Sequence, residues 1–501
     1  MLTLSIPSNI ELLIYVHTLV HSEFVDIMGN CLTLEDLKIC FSLFCCVYGV
    51  GTLGMPGNYA RAGPAWATVA LVFMAIANIY ASVCMSKVML KAPASVKTFG
   101  DMGEWCMGPF GRWIAVISQL LVCVMIPMVF LVLGGILLMI LFPNSYDQTT
   151  WICLMGVSLL PVCLIPTLKE GAGAAAAGAI GTLLADAIAL YLLVSNMTPK
   201  TQTLFDPELS FKGVVSVFGN LSLAYGAGII IPALQREHSD PTRMPRCIIA
   251  TLVLISVLFF VISVTGYSVT GCQIPGNLLF AVAGSSLGFT SSRGGVVLAF
   301  LFMQMHITIA FAIIFFPAFF IMERLVLGLH KDAFSLTDQD FNAMETPEQD
   351  KNQVRSAMMS QRDEDLAHIN EDYKKSHAYI RVAILRIVMV VIAVIVSVVL
   401  KDHFMDLQSF VGASSMALCC MILPLVFYFK TFSDTLPIWE KIFVVLVILI
   451  TSFLAVYVSI DTGKTLFNPD SAGPNPPVFP FCSAEHAYVV YTNTSHYKPH
   501  P

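Results

Sequence analysis

The sequence predicts an all-α integral membrane protein with eleven transmembrane helices, on three observations. Charged residues make up only 12% of the 501 residues while 56% are hydrophobic. Eleven apolar stretches are long enough to cross a bilayer, and the first and sixth of them are interrupted in mid-span by glycine and proline.

The shortage of charge comes first. A soluble domain carries about 25% charged residues, whereas lipid-solvated helices omit them because a charge in hydrocarbon needs a partner. The mean hydropathy of +0.77 agrees. The net charge of −6 is small and dispersed, so the lipid bilayer, and no nucleic acid, is the expected macroscopic partner. The 14 cysteines sit mostly inside apolar runs. Cys45-Cys46 and Cys419-Cys420 are neighbours that face different directions on a helix, so no metal site is expected. The stretch Ile10 to Val20 contains Glu11 and His17 and lacks a basic flank and a small-residue cleavage pattern. It reads as a cytoplasmic tail.

A span needs about 20 mostly apolar residues. Stretches near 38–60, 65–90, 112–142, 151–168, 174–195, 213–235, 247–271, 294–328, 380–400, 404–430 and 438–460 qualify, the third and eighth being longer than a perpendicular span requires. With the N-terminus in the cytoplasm, the 27 Lys and Arg divide twenty inside to seven outside, the asymmetry that sets orientation. The expected organisation is a cytoplasmic tail over 1–37, a transmembrane domain over 38–461 and an extracytoplasmic tail over 462–501. A polar cytoplasmic loop over 330–378 separates spans eight and nine and reads as a linker or regulatory element. Sequons at Asn196 and Asn493 fall on the outer side, while one at Asn220 lies inside a span. Cys272 and Cys482 are the two cysteines placed outside, where they could form a disulfide.

The interruptions carry the chemistry. The first span reads Gly49-Val50-Gly51-Thr52-Leu53-Gly54-Met55-Pro56. Glycine costs about 1 kcal/mol and proline about 3 kcal/mol in a helix interior, so this density breaks the helix. Freed backbone in mid-membrane must line a cavity or meet a polar ligand. The sixth span repeats the device at Tyr225-Gly226-Ala227-Gly228, with Pro232 trailing by about a turn. Matching breaks in spans one and six, and long spans at three and eight, point to two inverted repeats of five helices with a site at their interface. Gly134-Gly135 and the region from Gly171 to Gly181 read instead as packing contacts between helices. The half-helix starting near Gly54 presents N–H groups suited to a carboxylate. Carbonyls near Tyr48, Gly49, Leu223 and Ala224 suit an ammonium or a cation. An amino-acid zwitterion fits both.

At these residues the chain resembles the amino acid/auxin permease family. "GVGTLGMPGNYARAGPAW" is similar to the family's first-helix signature and "AYGAGIIIPALQREHSDPTRMPR" to its sixth. "GYSVTGCQIPGNLL", "FPAFFIMERL" and "FVGASSMALCCMILPLVFYFK" match after the seventh, at the eighth and in the tenth. The likeness runs from about Leu32 to Ile460 and implies a LeuT-like 5+5 inverted-repeat fold and secondary active transport of amino acids. Carried over by position, it implies substrate contacts at Gly49, Gly51, Thr52, Leu53, Gly54, Tyr225, Gly226 and Gly228, with the substrate side chain among helices three, six, eight and ten.

No cofactor is expected beyond a proton or sodium as coupling ion. Sodium-coupled relatives use an eighth-helix hydroxyl about two turns before the motif proline. Here that position, seven before Pro317, is Ala310, preceded by Ile309, and Thr308 faces another direction. This favours proton coupling, with two intramembrane ionisable residues as candidates, Asp186 in the fifth span and His306 in the eighth. Glu323-Arg324 and Lys169-Glu170 read as interfacial anchors. Alternatives are an amino-acid sensor on the same fold, with the polar loop around Thr337 to Lys375 as output, and a sodium-coupled amino acid or auxin carrier. No Ser/His/Asp cluster, His-rich motif or nucleophile elbow suggests an enzyme. The plasma membrane and a vacuolar or lysosomal membrane are both compatible locations.

Overall fold

The computed structural model describes residues 32–93, 98–165, 171–197, 206–238, 240–283, 289–329, 378–468 and 479–484, with positions 96, 287, 373, 487 and 488. Most of the expected N-terminal tail, nearly all of the 330–378 loop, Lys169-Glu170 and the Asn493 sequon lie outside the described residues.

Every predicted apolar run is helical. The first is α1 (Leu34–Val47), a 3₁₀ turn (Val50–Gly54) and α2 (Met55–Ala62), bent by 55°. Then come α3 (Pro64–Lys91), α4 (Phe99–Leu141), α5 (Gln148–Leu164) and α6 (Gly171–Asn196). The sixth run is split into α7 (Phe211–Ala224) and α8 (Ile231–Glu237), and α9 (Met244–Thr270), the short α10 (Leu278–Ala283) and α11 (Arg293–Met322) follow. The last three runs are α12 (Ala378–Val399), a tenth built of α13 (Phe404–Val411), two π-helical turns and α14 (Leu423–Phe432), and α15 (Ile438–Phe467). Among the described residues 9 helices are long and apolar enough to cross a membrane, and the bent α1–α2 pair makes 10. The 17-residue α5 rises about 25 Å, short of a hydrocarbon core of about 30 Å.

Polar caps start the helices where the chain enters apolar surroundings. Thr33 and Asp36 form a reciprocal capping box on α1, and Thr98 and Asp101 do the same on α4; Ser210 caps α7 and Ser292 caps α11. These side chains satisfy N–H groups that have no partner in the first turn. The cap at Thr98 starts α4 well before the expected residue 112. Gly108, at φ 69°, with Pro109, turns the chain within this 43-residue segment, a backbone conformation glycine adopts without Cβ strain.

Helix α11 packs along α6 and α4, and α9 along α3. Glycine permits the close approaches: a Cβ at Gly181 would lie 2.9 Å from the Phe302 carbonyl oxygen, and at Gly135 2.7 Å from Ile152. These are packing contacts, as read from the sequence.

Two polar clusters tie helix ends. The Asp36 carboxylate, fully buried, meets His238 Nε2 at 2.8 Å and the Arg243 guanidinium at 2.7 Å, joining the start of α1 to the α8–α9 connection. Arg386 of α12, also fully buried, pairs with Glu323 at 2.7 Å and donates to the carbonyls of Cys163 (2.9 Å) and Ile165 (2.7 Å) at the end of α5. Tyr373 donates to Glu323 at 2.8 Å. This corrects one expectation: Glu323 is no interfacial anchor but is buried against Arg386, one of the twenty cations assigned to the inner side. A long side chain can retreat from the interface when a carboxylate and two carbonyls receive its protons.

Cys272 and Cys482 form a disulfide across a sequence separation of 210. The returning C-terminal segment also pairs through the Glu208 N–H, which donates to the Phe481 carbonyl at 3.3 Å, and Phe481 lies under the Arg61 guanidinium at 5.1 Å.

Two outcomes follow. Mass mapping of non-reduced peptides is expected to recover Cys272 and Cys482 as one linked species; both thiols found free would contradict the pairing. Replacing Arg386 by Met strands the Glu323 charge and should cost about 3–5 kcal/mol, read as a lowered unfolding temperature of the purified chain. Adding Glu323→Met should recover much of that loss.

Candidate functional site

The two breaks face each other. Helix α1 ends at Val47, Tyr48 and Gly49 are extended, and the chain resumes as the Val50–Gly54 turn with Thr52 N–H donating to the Gly49 carbonyl at 3.0 Å. That carbonyl, expected to be free, therefore holds the turn. The sixth-span break is tighter: the Ala227 N–H donates to the Tyr225 carbonyl at 2.6 Å before a short turn at Gly228–Ile230.

None of the first-break glycines needs a left-handed backbone. They are required by proximity. A Cβ on Gly51 would lie 2.6 Å from Ala224 Cβ and 2.7 Å from its Cα; on Gly49, 2.9 Å from His306 Nε2; on Gly54, 2.6 Å from the Asn220 amide. In the sixth span a Cβ on Gly228 would lie 2.7 Å from Cys420 Cα in the tenth. Spans one, six and ten thus meet almost backbone to backbone.

Beside this junction lies a cavity of about 150 Å³. Of the eight residues expected at the substrate, Gly49, Gly51 and Gly226 line it; Thr52, Leu53, Gly54, Tyr225 and Gly228 do not. Leu53 is buried behind the turn, and Gly54 abuts Asn220, whose amide carbonyl accepts from Gln408. The Tyr225 phenol turns to Ser256 on α9 at 2.7 Å. His306 lines the cavity, its ring edge-on to Phe130 at 6.3 Å and its Nδ1 turned to the backbone of Gly178 on α6. The remaining walls come from spans three, five, six, eight and ten, including Ile126, Phe130, Gly178, Ile230, Ile313 and Met416.

Asp186 stands outside the cavity, buried at 2% exposure on α6. Tyr48, at the break, donates to its Oδ2 at 2.9 Å. The Thr52 hydroxyl, in the turn of the same break, is the neighbouring donor on the carboxylate's other side, and neither it nor Oδ1 has another partner. Tyr48 is the residue that sequence reasoning passed over as a side chain: a tyrosine ending an apolar helix carries no signal of a carboxylate 138 residues away. Asn220 was set aside as an unusable sequon, yet its amide packs against the first break. Asp186 and His306 are not brought together. His306 contacts α6 near Gly178, two helical turns from Asp186, about 12 Å of rise. Ala310 and Ile309 line the cavity, and the exposed Thr308 donates back to the Gln304 carbonyl at 2.8 Å.

The geometry can be set beside known proteins. Among solved structures the chain is similar to MhsT in complex with L-phenylalanine (12% identity, 85% of this chain and 98% of that one, TM-score 0.44). It is also similar to a mutant of the Eremococcus coleocola manganese transporter (12%, 94% and 92%, TM-score 0.48) and to a Na+-coupled sialic acid symporter (11%, 90% and 96%, TM-score 0.46). In sequence, the Arabidopsis thaliana protein "Amino acid transporter AVT1I" is 25% identical over 259 residues, covering 47% of this chain. The match spans 60% of that relative's length, less than two thirds of it. The family model described as "Transmembrane amino acid transporter protein" matches residues 37–462, and with more than half of its length so matched, the chain belongs to that family of multi-pass membrane transporters.

Proposed function

We propose that the protein is a proton-coupled secondary transporter of amino acids that works by alternating access, with its substrate held between the breaks of spans one and six. The observation that carries this reading is the Asp186 carboxylate. Both of its neighbours, the Tyr48 and Thr52 hydroxyls, belong to the first break, all three side chains are buried, and no cation pairs with the carboxylate among the described residues. A carboxylate so placed, without a counter-charge, is costly to hold as a fixed anion in a membrane. Its proton occupancy is transmitted directly to the backbone that would hold the substrate. The eighth-helix wall supports a proton over sodium: Ala310 and Ile309 offer no hydroxyl, and Thr308 turns away.

In this reading the substrate contacts extend over Gly49, Gly51, Thr52, Leu53, Gly54, Tyr225, Gly226 and Gly228, some of them becoming exposed only in another state of the cycle. The chain crosses the membrane eleven times as two inverted repeats of five helices and one more. Span four is Gln148–Leu164 reaching the interface with flanking residues. The N-terminus is cytoplasmic, supported by the Lys and Arg asymmetry and by the disulfide at Cys272, since disulfides persist on the non-cytosolic face. Residues 1–37, 330–378 and 462–501 are then tail, cytoplasmic loop and outer tail around the 38–461 transport domain, in the plasma membrane or a vacuolar or lysosomal membrane. The relative named as an amino acid transporter supports the substrate.

In proteoliposomes, labelled amino acid is expected to accumulate when the substrate side is made acidic, without sodium. Asp186→Asn should abolish this gradient-driven accumulation while exchange of internal for external amino acid persists; unchanged pH dependence would remove Asp186 from the mechanism. Binding without any accumulation would favour a sensor. Gly51→Ala places a methyl 2.6 Å from Ala224 Cβ; overpacking of about 1–3 kcal/mol at the junction, if it falls on the transport barrier, should lower transport about 5- to 150-fold, measured as initial uptake at equal protein in the membrane.

A further inference from the structure

The cavity beside the breaks has a chemical character that the transporter reading does not by itself specify. Its wall is made of aliphatic, aromatic and sulfur side chains: Ile126 and Phe130 of α4, Ile230 before α8, Ile309 and Ile313 of α11, and Met416 of the tenth span. Among the described residues no carboxylate, ammonium, guanidinium, hydroxyl or amide side chain lines it. The polar tips present are the imidazole of His306 and the thiols of Cys45, Cys46 and Cys123. The backbone of both breaks, at Gly49, Gly51 and Gly226, forms one edge of the same space.

We propose that this cavity selects α-amino acids with uncharged, apolar side chains of about leucine or methionine size. The inference rests on the transporter reading above and adds which substrates the site takes. The main-chain ammonium and carboxylate have somewhere to go, the edge formed by the broken helices. A second charge, on the side chain, has none. It would leave water for a wall without a counter-charge, and a buried charge lacking a partner is strongly disfavoured. Size gives the other limit. An apolar void of about 150 Å³ accommodates a molecule the size of benzene, and this cavity has about 150 Å³. A branched-chain or thioether side chain fills such a space, alanine leaves it largely empty, and an indole exceeds it. His306 marks the boundary between the two regions, its Nε2 against Gly49 and its ring against Phe130.

The test uses the purified full-length chain in proteoliposomes, with labelled leucine as probe and the twenty unlabelled amino acids as competitors. Leu, Ile, Met and Val are expected to compete, with Ala at least about tenfold weaker because methylenes are missing from an apolar pocket. Asp, Glu, Lys and Arg should not compete, and Trp should compete poorly. Ile313→Asp, which places a carboxylate in the half-buried wall, should weaken leucine and admit Lys or Arg. Competition by charged amino acids as strong as that by leucine would overturn the selectivity and leave the transporter reading standing. If none of the twenty amino acids binds or exchanges, the transporter reading fails as well. Should Ile313→Asp not fold, the competition panel on the unmodified chain decides alone.

Discussion

The structure depends on how closely the first and sixth spans approach at their breaks, with Gly51 set against Ala224. Backbone freed from a helix inside a membrane must find partners within the protein, and here each break forms a wall of the other. The same logic extends to the tenth span. A Cβ on Gly412 would lie 1.9 Å from the Gly219 carbonyl oxygen, and one on Gly219 would lie 2.5 Å from the Ser409 carbonyl oxygen. The π-helical turns at Gly412–Met416 and Leu418–Ile422 fall along this face, where widened turns accommodate neighbouring backbone. Three spans therefore meet with almost no side chain between them. That explains the glycine density better than conformational freedom does, since the first-break glycines have negative φ.

An aromatic path links the two breaks to the buried carboxylate. Tyr225 packs edge-on against Phe259 at 5.2 Å, Phe259 against Tyr48 at 6.2 Å, and Tyr48 stacks on Phe44 at 4.9 Å while its hydroxyl binds Asp186. At its other end α1 is held by Asp36 to His238 and Arg243. Between these two fastenings α1 packs along α9, where the Thr251 hydroxyl donates to the Cys40 carbonyl at 3.4 Å, with Ile39, Leu43 and Val47 buried in the core.

Much of this was legible in the sequence. The breaks at Gly49 to Gly54 and Tyr225 to Gly228 follow from local propensity, and a lone Asp186 in an apolar run announces itself. The pairing of Cys272 with Cys482 followed from placing the loops on sides. What the sequence withheld concerns partners far apart along the chain. Nothing local to Tyr48 points to Asp186, and nothing near Arg386 shows that Glu323, 63 residues earlier, draws it inward. The early start of α4 was hidden because Phe99 to Met107 is too polar to read as span, although Thr98 and Asp101 together spell a cap. The number of substrate contacts was also beyond reach, because a glycine motif says where the helix breaks and not which of its residues face the void.

The contrast between the two buried charge sites bears on the proposed role of Asp186. Glu323 accepts from Arg386 and Tyr373, while Arg386 spreads its remaining protons over two α5 carbonyls and lies over the rings of Phe316 and Phe319 at 5.0 and 5.2 Å. Such a site surrounds both charges with partners. Asp186 is built the other way, with two neutral hydroxyl neighbours, Tyr48 and Thr52, and no counter-ion among the described residues. A fixed anion there would be poorly compensated, and both hydroxyls that meet it belong to the first break, which is where the proposed coupling acts.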